Sequence, residues 1–433
     1  MENRYDKYKD SGIAWIGEIP EHWSKNKIAR LFGIIGSGTT PKSNKEDNYI
    51  GSINWIQSGD INGSYIKKCK NTISEVAIKE YPILKIYKAP FIIVAMYGAS
   101  VGNISISEID ACVNQACCVM NDSKQNFKYL FYAINSVKKY LIYKAEGGGQ
   151  PNISQDKIKN TWMPVPPTQE QQFIAAYLDQ KCGEIDELIA LQEEMITKLQ
   201  SYKQSVITEA VTKGLDKNVP LKDSGIEWIG TIPAHWICAV FKKFLSDPMQ
   251  YGANEPAEEC NYNDPRYIRI TDIKDDGTLR DDTFKSLSLD KAKEYMLVKG
   301  DLLFARSGAT VGKTFLYNED YTACFAGYLI KARCNKNELI PNFVFYYTLS
   351  NVYQNWKNSI FIQSTIQNIG ADKYSLMPII VPPISEQQTI ADYLDQKCSE
   401  IDELISIKQQ KIEKLKDYKK SLIFECVTGK RKV

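Results

Sequence analysis

The feature that constrains this chain most is an internal duplication that covers nearly its whole length. Residues 9–23 read KDSGIAWIGEIPEHW and residues 222–236 read KDSGIEWIGTIPAHW, with twelve of fifteen positions identical. Residues 165–212 align without gaps to residues 381–428, with thirty identities in 48 positions. The offsets of 213 and 216 predict that the 433 residues are two copies of one unit of about 216 residues.

The segments between the matched blocks, residues 24–163 and 237–380, align only in short islands. YGASVG at 97–102 corresponds to SGATVG at 307–312, QSGDI at 57–61 to RITDI at 269–273, and NI at 152–153 to NI at 368–369. A retained frame with divergent inserts favours two modules that have different targets on a common scaffold. The alternative is a duplicated domain that drifted wherever packing allowed.

Each long matched block is predicted to be a helix, residues 169–212 in the first copy, about 66 Å long at 1.5 Å per residue. Capping boxes are predicted at Thr168 with Gln171 and at Ser385 with Gln388. Apolar residues that recur every three or four positions predict a narrow coiled-coil seam. The seam comprises Ile185, Leu188, Leu191, Met195, Leu199, Tyr202, Val206 and Ala210 in the first copy, and Ile401, Leu404, Ile407, Leu415, Tyr418 and Leu422 in the second.

Neither helix can bury such a seam alone, so we expect the two copies to pair as antiparallel helices within the chain. An intermolecular coiled coil is the alternative. The inserts combine short β-rich runs, such as 91–96 and 301–305, with helical stretches at 127–145 and 342–356. The predicted fold class is therefore α+β, with two pseudo-symmetric mixed α/β domains joined by two long antiparallel helices.

The composition excludes several chemistries. With two histidines and no CxxC pair, the chain offers almost no material for imidazole relays or a zinc ribbon, so we expect neither a catalytic nor a metal site. The longest apolar run, 89–96, is far shorter than a membrane helix needs. An odd cysteine count of eleven, with no export signal, predicts reduced thiols and a cytoplasmic location.

Charge is distributed unevenly, although the formal net charge is only +2. Residues 24–163 hold 18 basic and 10 acidic side chains, whereas residues 237–380 hold 17 of each. Residues 165–214 carry four basic and eight acidic side chains. The positive charge therefore lies in the first insert, which favours an anionic partner there.

Two motifs resemble catalytic sites. SGATVGKT at 307–314 is close to the phosphate-binding loop GxxxxGK(S/T), but Ser307 occupies the first glycine position. A Gly-rich turn after a buried strand, or a turn that grips a nucleic-acid phosphate, are the other interpretations. Asp264 with Asp272 and Lys274 loosely resembles a metal-dependent nuclease set, which the first copy lacks.

Polar and basic residues in the insert loops are candidates for DNA contacts, because arginine can read guanine and amide side chains can read adenine. In the first insert these are Gln57, Ser58, Lys67, Lys68, Lys70, Tyr97, Asn103, Gln150 and Asn152. In the second they are Arg266, Arg269, Thr271, Lys274, Arg306, Ser307, Lys313, Thr314, Gln363, Gln367 and Asn368.

The doubled KDSGIxWIGxIPxHW box and the doubled VPPxxEQQxIAxYLDQKCxEIDELI block resemble the specificity (S) subunit of Type I restriction-modification systems. The resemblance covers nearly the full chain. It implies a subunit without catalysis of its own, in which two target-recognition domains each read half of a split double-stranded DNA site. It also implies partners: two M subunits, which carry S-adenosylmethionine and methylate adenine-N6, and R subunits, which use ATP and Mg to translocate and cleave DNA.

The resemblance places the recognition domains at residues 1–163, with the repeat box at 9–23, and 215–380, with the box at 222–236. Residues 164–214 and 381–433 are the repeat helices. Two alternative functions remain at this point: a non-catalytic coiled-coil scaffold that binds proteins, and an enzyme that binds nucleotides on the 308–314 turn.

Overall fold

The protein is described from a computed structural model, which covers residues 4–145, 152–274, 276–362 and 368–433. The chain forms two compact units. The first contains residues 1–192 and 410–433, and the second contains residues 193–409. Among the described residues, no helix offers an apolar stretch of bilayer-spanning length.

The first unit is built on a five-stranded sheet with the order β4-β11-β8-β9-β6, accompanied by a three-stranded sheet β10-β5-β7 and the pairs β1-β2 and β12-β3. Its strands are β1 (Tyr8–Ile13), β2 (Gly17–Pro20), β3 (Ser24–Lys27), β4 (Ile34–Gly36), β5 (Ile53–Ile56), β6 (Tyr65–Ile66), β7 (Thr72–Ile73), β8 (Phe91–Ala95), β9 (Ile104–Ser107), β10 (Cys112–Val113), β11 (Cys117–Asn121) and β12 (Trp162–Val165). Its helices are α1 (Ile28–Leu31), α2 (Glu75–Glu80), α3 (Phe127–Ser136), α4 (Lys138–Tyr143), α5 (Gln155–Lys159) and the first part of α6 (Thr168–Lys213).

The second unit repeats this plan with a four-stranded sheet β16-β21-β18-β19 and the pairs β13-β14, β15-β22 and β17-β20. Its strands are β13 (Leu221–Asp223), β14 (Thr231–Pro233), β15 (Ile237–Val240), β16 (Gln250–Tyr251), β17 (Arg266–Ile268), β18 (Asp301–Ala305), β19 (Thr314–Tyr317), β20 (Ala323–Phe325), β21 (Leu329–Arg333) and β22 (Pro378–Val381). Its helices are α7 (Leu289–Ala292), α8 (Pro341–Leu349), α9 (Asn351–Ile362), α10 (Ala371–Ser375) and the first part of α11 (Ile384–Val427).

The central strand of each unit is buried on both faces. In β8, Ile92 and Val94 pack into the core that includes α3, while Phe91 and Ile93 pack into a second core on the opposite face. In β18, Leu302 and Phe304 likewise pack into one core, and Leu303 and Ala305 pack into another on the opposite face. Continuous apolar runs suit such strands, because side chains alternate between two buried faces. The predicted mixed α/β units and the duplication are therefore confirmed.

The long helices run antiparallel within each unit. In the first unit Asp186 of α6 pairs with Lys419 of α11 at 2.6 Å, and Cys182 packs in the same core as Cys426. In the second unit the equivalent pair is Lys203 of α6 with Asp402 of α11, also at 2.6 Å. Asp186 and Asp402 are equivalent positions of the repeat, and so are Lys203 and Lys419, because each pair is 216 residues apart. The aspartate therefore lies on α6 in the first unit and on α11 in the second. Helix α6 has 46 residues, two more than predicted, and α11 has 44.

The buried seam differs from the predicted one. Ile185, Ile401 and Leu422 are buried, and Leu199, Val206 and Leu415 are partly buried. However, Leu188, Leu191, Met195, Tyr202, Leu404, Ile407 and Tyr418 are 36% to 56% exposed. Leu188 follows Ile185 by three residues, which places it about 60° round the helix from the packed face. The prediction followed apolar character, whereas the packed positions also include polar residues such as Gln192, Lys203 and Lys419.

The predicted capping boxes were wrong. Helix α6 already includes Thr168, and the Gln171 side chain donates to the carbonyl oxygen of Pro166 and accepts from the backbone N–H of Asn126. Gln387, not Gln388, makes the equivalent bonds in the second copy. Both glutamines are fully buried, so they fasten the start of each long helix to its insert.

The helices that close the inserts are each interrupted once. The stretch predicted at 127–145 divides at Val137 into α3 and α4, and the stretch predicted at 342–356 divides at Ser350 into α8 and α9. The Ser350 hydroxyl donates to the carbonyl oxygen of Tyr347 and accepts from the N–H of Tyr353, so it ends one helix and caps the next.

Candidate nucleic-acid interface

Three loops of the first unit meet beside the carboxyl end of β8. The N–H of Asn114 donates to the carbonyl oxygen of Ile56 at 3.1 Å, which joins the loop after β10 to the loop after β5. The N–H of Met96 donates to Ala116 at 2.7 Å, and Ile153 donates to Met96 at 2.8 Å. Met96 therefore lies at the centre of a surface built by segments that are distant in sequence.

The second unit repeats this arrangement bond for bond. The N–H of Ala326 donates to Ile268 at 2.9 Å, that of Arg306 to Tyr328 at 3.0 Å, and that of Ile369 to Arg306 at 2.8 Å. The central position is thus methionine in the first unit and arginine in the second. The backbone is retained while the side chains differ.

The Gly-rich islands exist because the turn after the central strand needs them. Gly102 and Gly312 adopt φ values of +75° and +85°, which L side chains rarely adopt. Their N–H groups return to the carbonyl oxygens of Ala95 and Ala305 at 2.8 and 2.9 Å. A Cβ at Gly312 would lie 2.3 Å from the Lys357 side chain. The islands are therefore tight strand-to-strand turns.

This geometry excludes the phosphate-loop interpretation of residues 307–314. In a nucleotide-binding loop, the lysine and threonine begin a helix whose N–H groups face the phosphates. Here Thr314 is buried and begins strand β19. The turn itself includes only the short 3₁₀ segment Gly308–Thr310.

An aspartate holds the first loop of each site. Asp60 accepts the N–H of Gln57, and Asp272 accepts the N–H of Arg269, both at 2.9 Å. In the second unit the Arg269 guanidinium also binds Asp272, at 2.8 and 3.2 Å. The Asp272 carboxylate is only 1% exposed, and its oxygens bond to Arg269 within the loop, which argues against a role as a metal ligand. The nuclease interpretation of Asp272 is therefore unsupported.

Several predicted residues of the first unit come together on these loops. The Ser100 hydroxyl donates to the carbonyl oxygen of Ser58 at 2.6 Å, and Asn103 donates to Ile61 at 3.0 Å. Lys138 donates to the Asn103 amide oxygen at 2.6 Å. Tyr97 is partly buried, and burial raises its pKa, so its hydroxyl remains a donor. Gln57 is part-exposed and Asn152 is exposed beside them.

The second unit brings together a different set. The Arg306 guanidinium lies over the Tyr251 ring, 4.8 Å from its centroid, and Ser307 pairs with Asn368 as an isolated bridge. Arg269, Thr271 and Tyr328 line a hollow of about 570 Å³. Lys313 follows Gly312, at the position that Asn103 occupies in the first unit.

Sequence reasoning missed Tyr251 and Tyr328. Tyr328 is 62% exposed directly beside the central strand, and Tyr251 supports Arg306. Both lie where the two copies align poorly, so the repeat gave no indication of them. Their only signal was an adjacent glycine: Tyr251 ends strand β16 before Gly252, and Tyr328 follows Gly327 in the turn before β21.

Other predicted residues lie elsewhere, and two are corrected. Arg266 is 5% exposed, and it donates to the hydroxyl of Tyr321 and the carbonyl oxygen of Arg280 inside the unit, so it is not presented to a ligand. Thr314 is buried in β19. Lys274 is exposed, and its N–H pairs with the Thr278 carbonyl oxygen.

The lysine cluster of the first unit lies away from β8. Lys67, Lys68 and Lys70 are exposed on the loop that follows β6, which is the edge strand two places from β8 in the sheet. Gln150, Gln363 and Gln367 lie outside the described residues.

A hydrogen-bonded cluster fastens each repeat box to its long helix. Glu170 accepts from the Trp23 indole at 2.9 Å and lies 2.6 Å from His22 Nε2, and Tyr5 donates to it at 3.0 Å. Burial raises the pKa of Glu170, but the hydrogen bonds from Trp23, His22 and Tyr5 outweigh it, so the pKa is lowered.

The second copy repeats this cluster without the tyrosine: His235 and Trp236 contact Glu386 at 2.8 and 2.9 Å. The two histidines of the chain therefore occupy one structural position, once in each unit.

Comparison with known proteins identifies the family. The sequence matches the Type I restriction modification DNA specificity domain twice, at residues 20–200 and 251–417. These two matches together cover most of the chain. The chain belongs to this family.

Relatives of this specificity-domain protein include the Type I restriction enzyme MjaVIII specificity subunit of Methanocaldococcus jannaschii. It is 23% identical over an alignment of 429 positions, which covers 96% of this chain and 94% of the relative. The Type I restriction enzyme EcoKI specificity subunit of Escherichia coli is 22% identical, over 88% of this chain and 83% of the relative.

A solved structure from work on the assembly and conformational transition of the type I R-M system has the same fold. Its TM-score is 0.73 at 16% identity, with 95% of this chain and 99% of that chain covered. The two family matches include the three-loop surfaces around Met96 and Arg306, so each copy of the specificity domain carries one of them.

Proposed function

We propose that this specificity-domain protein recognises a split double-stranded DNA site, with one half read by each unit, as the non-catalytic subunit of a Type I restriction-modification complex. The observation that carries the proposal is the three-loop surface, which occurs twice with the same backbone bonds and different side chains. A backbone held constant beneath variable side chains is suited to two readers of different base sequences. We assign the readers to residues 1–163 and 215–380.

The proposed partners are two M subunits, which bring S-adenosylmethionine and methylate adenine-N6, and R subunits, which bring ATP and Mg. Exposed apolar residues on the long helices support docking of partner subunits. They are Leu188 and Leu191 in the first unit and Leu404 and Ile407 in the second, each 44% to 50% exposed. We further propose that the complex acts in the cytoplasm.

The test is a binding measurement with the full chain and its M partner on a duplex that carries the split site. Phosphate contacts release counterions, so affinity is expected to fall by about 10³- to 10⁵-fold between about 50 and 200 mM salt if six to ten phosphates are neutralised. Binding that does not depend on salt, or no binding with M present, would contradict the proposal.

An exchange of inserts tests modularity. Replacing residues 24–163 by the insert of another specificity subunit is expected to change one half of the recognised site and to leave the other half intact. If both halves change, the two units do not read DNA independently.

A protein-binding scaffold without DNA recognition is the second candidate, because the same exposed helix residues would serve it. It predicts assembly with M but no preference between duplexes of different sequence.

A further inference from the structure

The central residue of the second site, Arg306, is held in a defined orientation. Its N–H bonds to Tyr328 and its carbonyl oxygen accepts from Ile369, so its backbone is fixed on both sides. Its guanidinium lies over the ring of Tyr251, 4.8 Å from the centroid. The Tyr251 hydroxyl in turn accepts the N–H of Ala371 at 3.0 Å. The platform beneath the guanidinium is therefore also anchored.

The guanidinium has no hydrogen-bond or ion-pair partner among the residues that the structure describes. Its Nε is buried without an acceptor, although the residue as a whole is part-exposed. In the same unit Arg333 binds Asp301 at 2.7 and 2.8 Å, and Arg269 binds Asp272. Arg266 also has a buried Nε without an acceptor, but both of its Nη groups donate to acceptors inside the unit. A ligand does not reach the enclosed Nε, so the donors that it can reach are the outer Nη groups of this part-exposed residue.

A ligand would contact the two outer Nη groups of the guanidinium, because Nε is enclosed. Two Nη donors in a fixed plane match the paired O6 and N7 acceptors of guanine in the major groove. A phosphate can also accept two bonds from a guanidinium, but it carries no base identity, so a phosphate contact would not make the half-site require guanine. Stacking on Tyr251 fixes the plane of the fork, which a charge contact does not require.

The first unit offers a different group at the same place. Met96 occupies the position of Arg306, is 7% exposed, and has the same backbone bonds to its neighbours. A thioether donates no hydrogen bond, so it cannot make the same contact. The two half-sites are therefore expected to differ at the base that faces this position.

We propose that Arg306, stacked on Tyr251, reads a guanine in the half-site bound by the second unit, and that this half-site requires guanine at that position. This rests on the proposed function, since it names a base within the split DNA site.

The experiment maps methylated adenines in the DNA of host cells that carry the wild-type chain, Arg306→Lys, Arg306→Ala or no chain. Loss of one split motif when the chain is absent supports the proposed function. Arg306→Ala is then expected to methylate motifs in which one guanine of one half accepts other bases, while the other half is unchanged. Arg306→Lys keeps a cation that can still bond O6 and N7 without the fixed fork, so it is expected to relax the requirement less. Lys299→Gln, which removes an exposed cation at the opposite end of β18, is the matched control and is expected to keep the guanine requirement.

Binding by the purified complex with M covers the case in which a variant methylates too weakly to map. The wild type is expected to prefer the guanine duplex over a duplex with that base pair exchanged by about 5- to 160-fold. In Arg306→Ala, whose thermal unfolding is compared with the wild type, this ratio is expected to approach one.

The outcomes separate the two ideas. If the motif disappears without the chain but Arg306→Ala keeps the full guanine requirement, the guanine assignment is wrong. If every methylated motif persists without the chain, the proposed function fails and the assignment fails with it.

Discussion

Replacement of Glu170 by alanine tests whether the Trp–His–Glu cluster holds the repeat box on the long helix. The Trp23 side chain is fully buried, and its indole N–H has Glu170 as its acceptor at 2.9 Å. A buried donor left without an acceptor costs about 1–3 kcal/mol. The bonds from the more exposed His22 and from Tyr5 contribute less because water replaces the lost acceptor, so we expect a total loss of about 2–4 kcal/mol.

The matched variant is Glu386→Ala in the second unit. There the acceptor serves Trp236 and His235 but no tyrosine, and its side chain is 41% exposed. The expected loss is smaller, about 1–3 kcal/mol. Each substitution is expected to weaken its own unit.

Hydrogen exchange of the full chain measures both effects, because a single unfolding curve of a two-unit protein does not separate them. Peptides from residues 20–28 and 168–175 report on Glu170→Ala, and peptides from 231–240 and 384–391 report on Glu386→Ala. A loss below about 0.5 kcal/mol in Glu170→Ala, within the usual range for surface substitutions, would refute a clamping role. Equal loosening of both units would refute the assignment of one cluster to each.

Acidity provides an independent check on the same residue. The pKa of Glu170 is lowered in the folded chain, so its contribution is present above the unfolded pKa of about 4.3 and is lost as the pH falls through the folded value. Glu170→Gln removes this titration. Its unfolding free energy is expected to depend less on pH below about 4 than that of the wild type. If the free energy of unfolding falls equally steeply with decreasing pH in both proteins, the lowered pKa of Glu170 is contradicted.

Three further substitutions test the packing. Asp402→Lys is expected to cost about 0.5–1 kcal/mol in denaturant unfolding, and Lys203→Asp in the same chain to restore most of it; no recovery would show that the pair does not interact. Gly38→Ala places a Cβ 1.7 Å from the carbonyl oxygen of Val113 and is expected to lower the free energy of unfolding by about 1–3 kcal/mol. Gly59→Ala meets no atom within 4 Å, so its free energy of unfolding is expected to stay within about 0.5 kcal/mol of the wild type. Equal effects would show that close approach is not the cause. Arg266→Met is expected to cost about 2–4 kcal/mol in thermal unfolding and to leave the methylated motif unchanged, and a changed motif would return this arginine to the DNA surface.

Much of the fold was predictable because the duplication can be read directly from the amino-acid sequence. Two copies of one sequence fold into two copies of one structure, and the alignment islands at 97–102 and 307–312 mark turns whose glycines need positive φ. The seam was harder, because apolar side chains occur both at packed positions such as Ile185 and at exposed ones such as Leu188. Which face is packed depends on the partner helix, and that is not a local property of the sequence.

The candidate site was predictable in outline and less so in its residues. The loops around Gln57 and Asn152 were identified because both copies retain them. Arg266 and Arg306 are both arginines of the second insert, yet the Arg266 guanidinium donates to Tyr321 and to a carbonyl oxygen, whereas the Arg306 guanidinium stacks on Tyr251 and has no hydrogen-bond partner among the described residues. Only the tertiary contacts of each arginine separate a structural role from a recognition role.

The division of the chain has a consequence for the order in which the protein is made. The second unit is one continuous segment, whereas the core of the first includes Leu422, Ile423, Cys426 and Val427, and its Tyr8 bonds to the carbonyl oxygen of Gly429. Because the chain is synthesised from its N-terminus to its C-terminus, all of the second unit leaves the ribosome before residues 410–433, which complete the first unit. Domains usually complete in the order of synthesis. Here the unit that begins first is finished last, and its exposed apolar surface must wait for the final turns of α11.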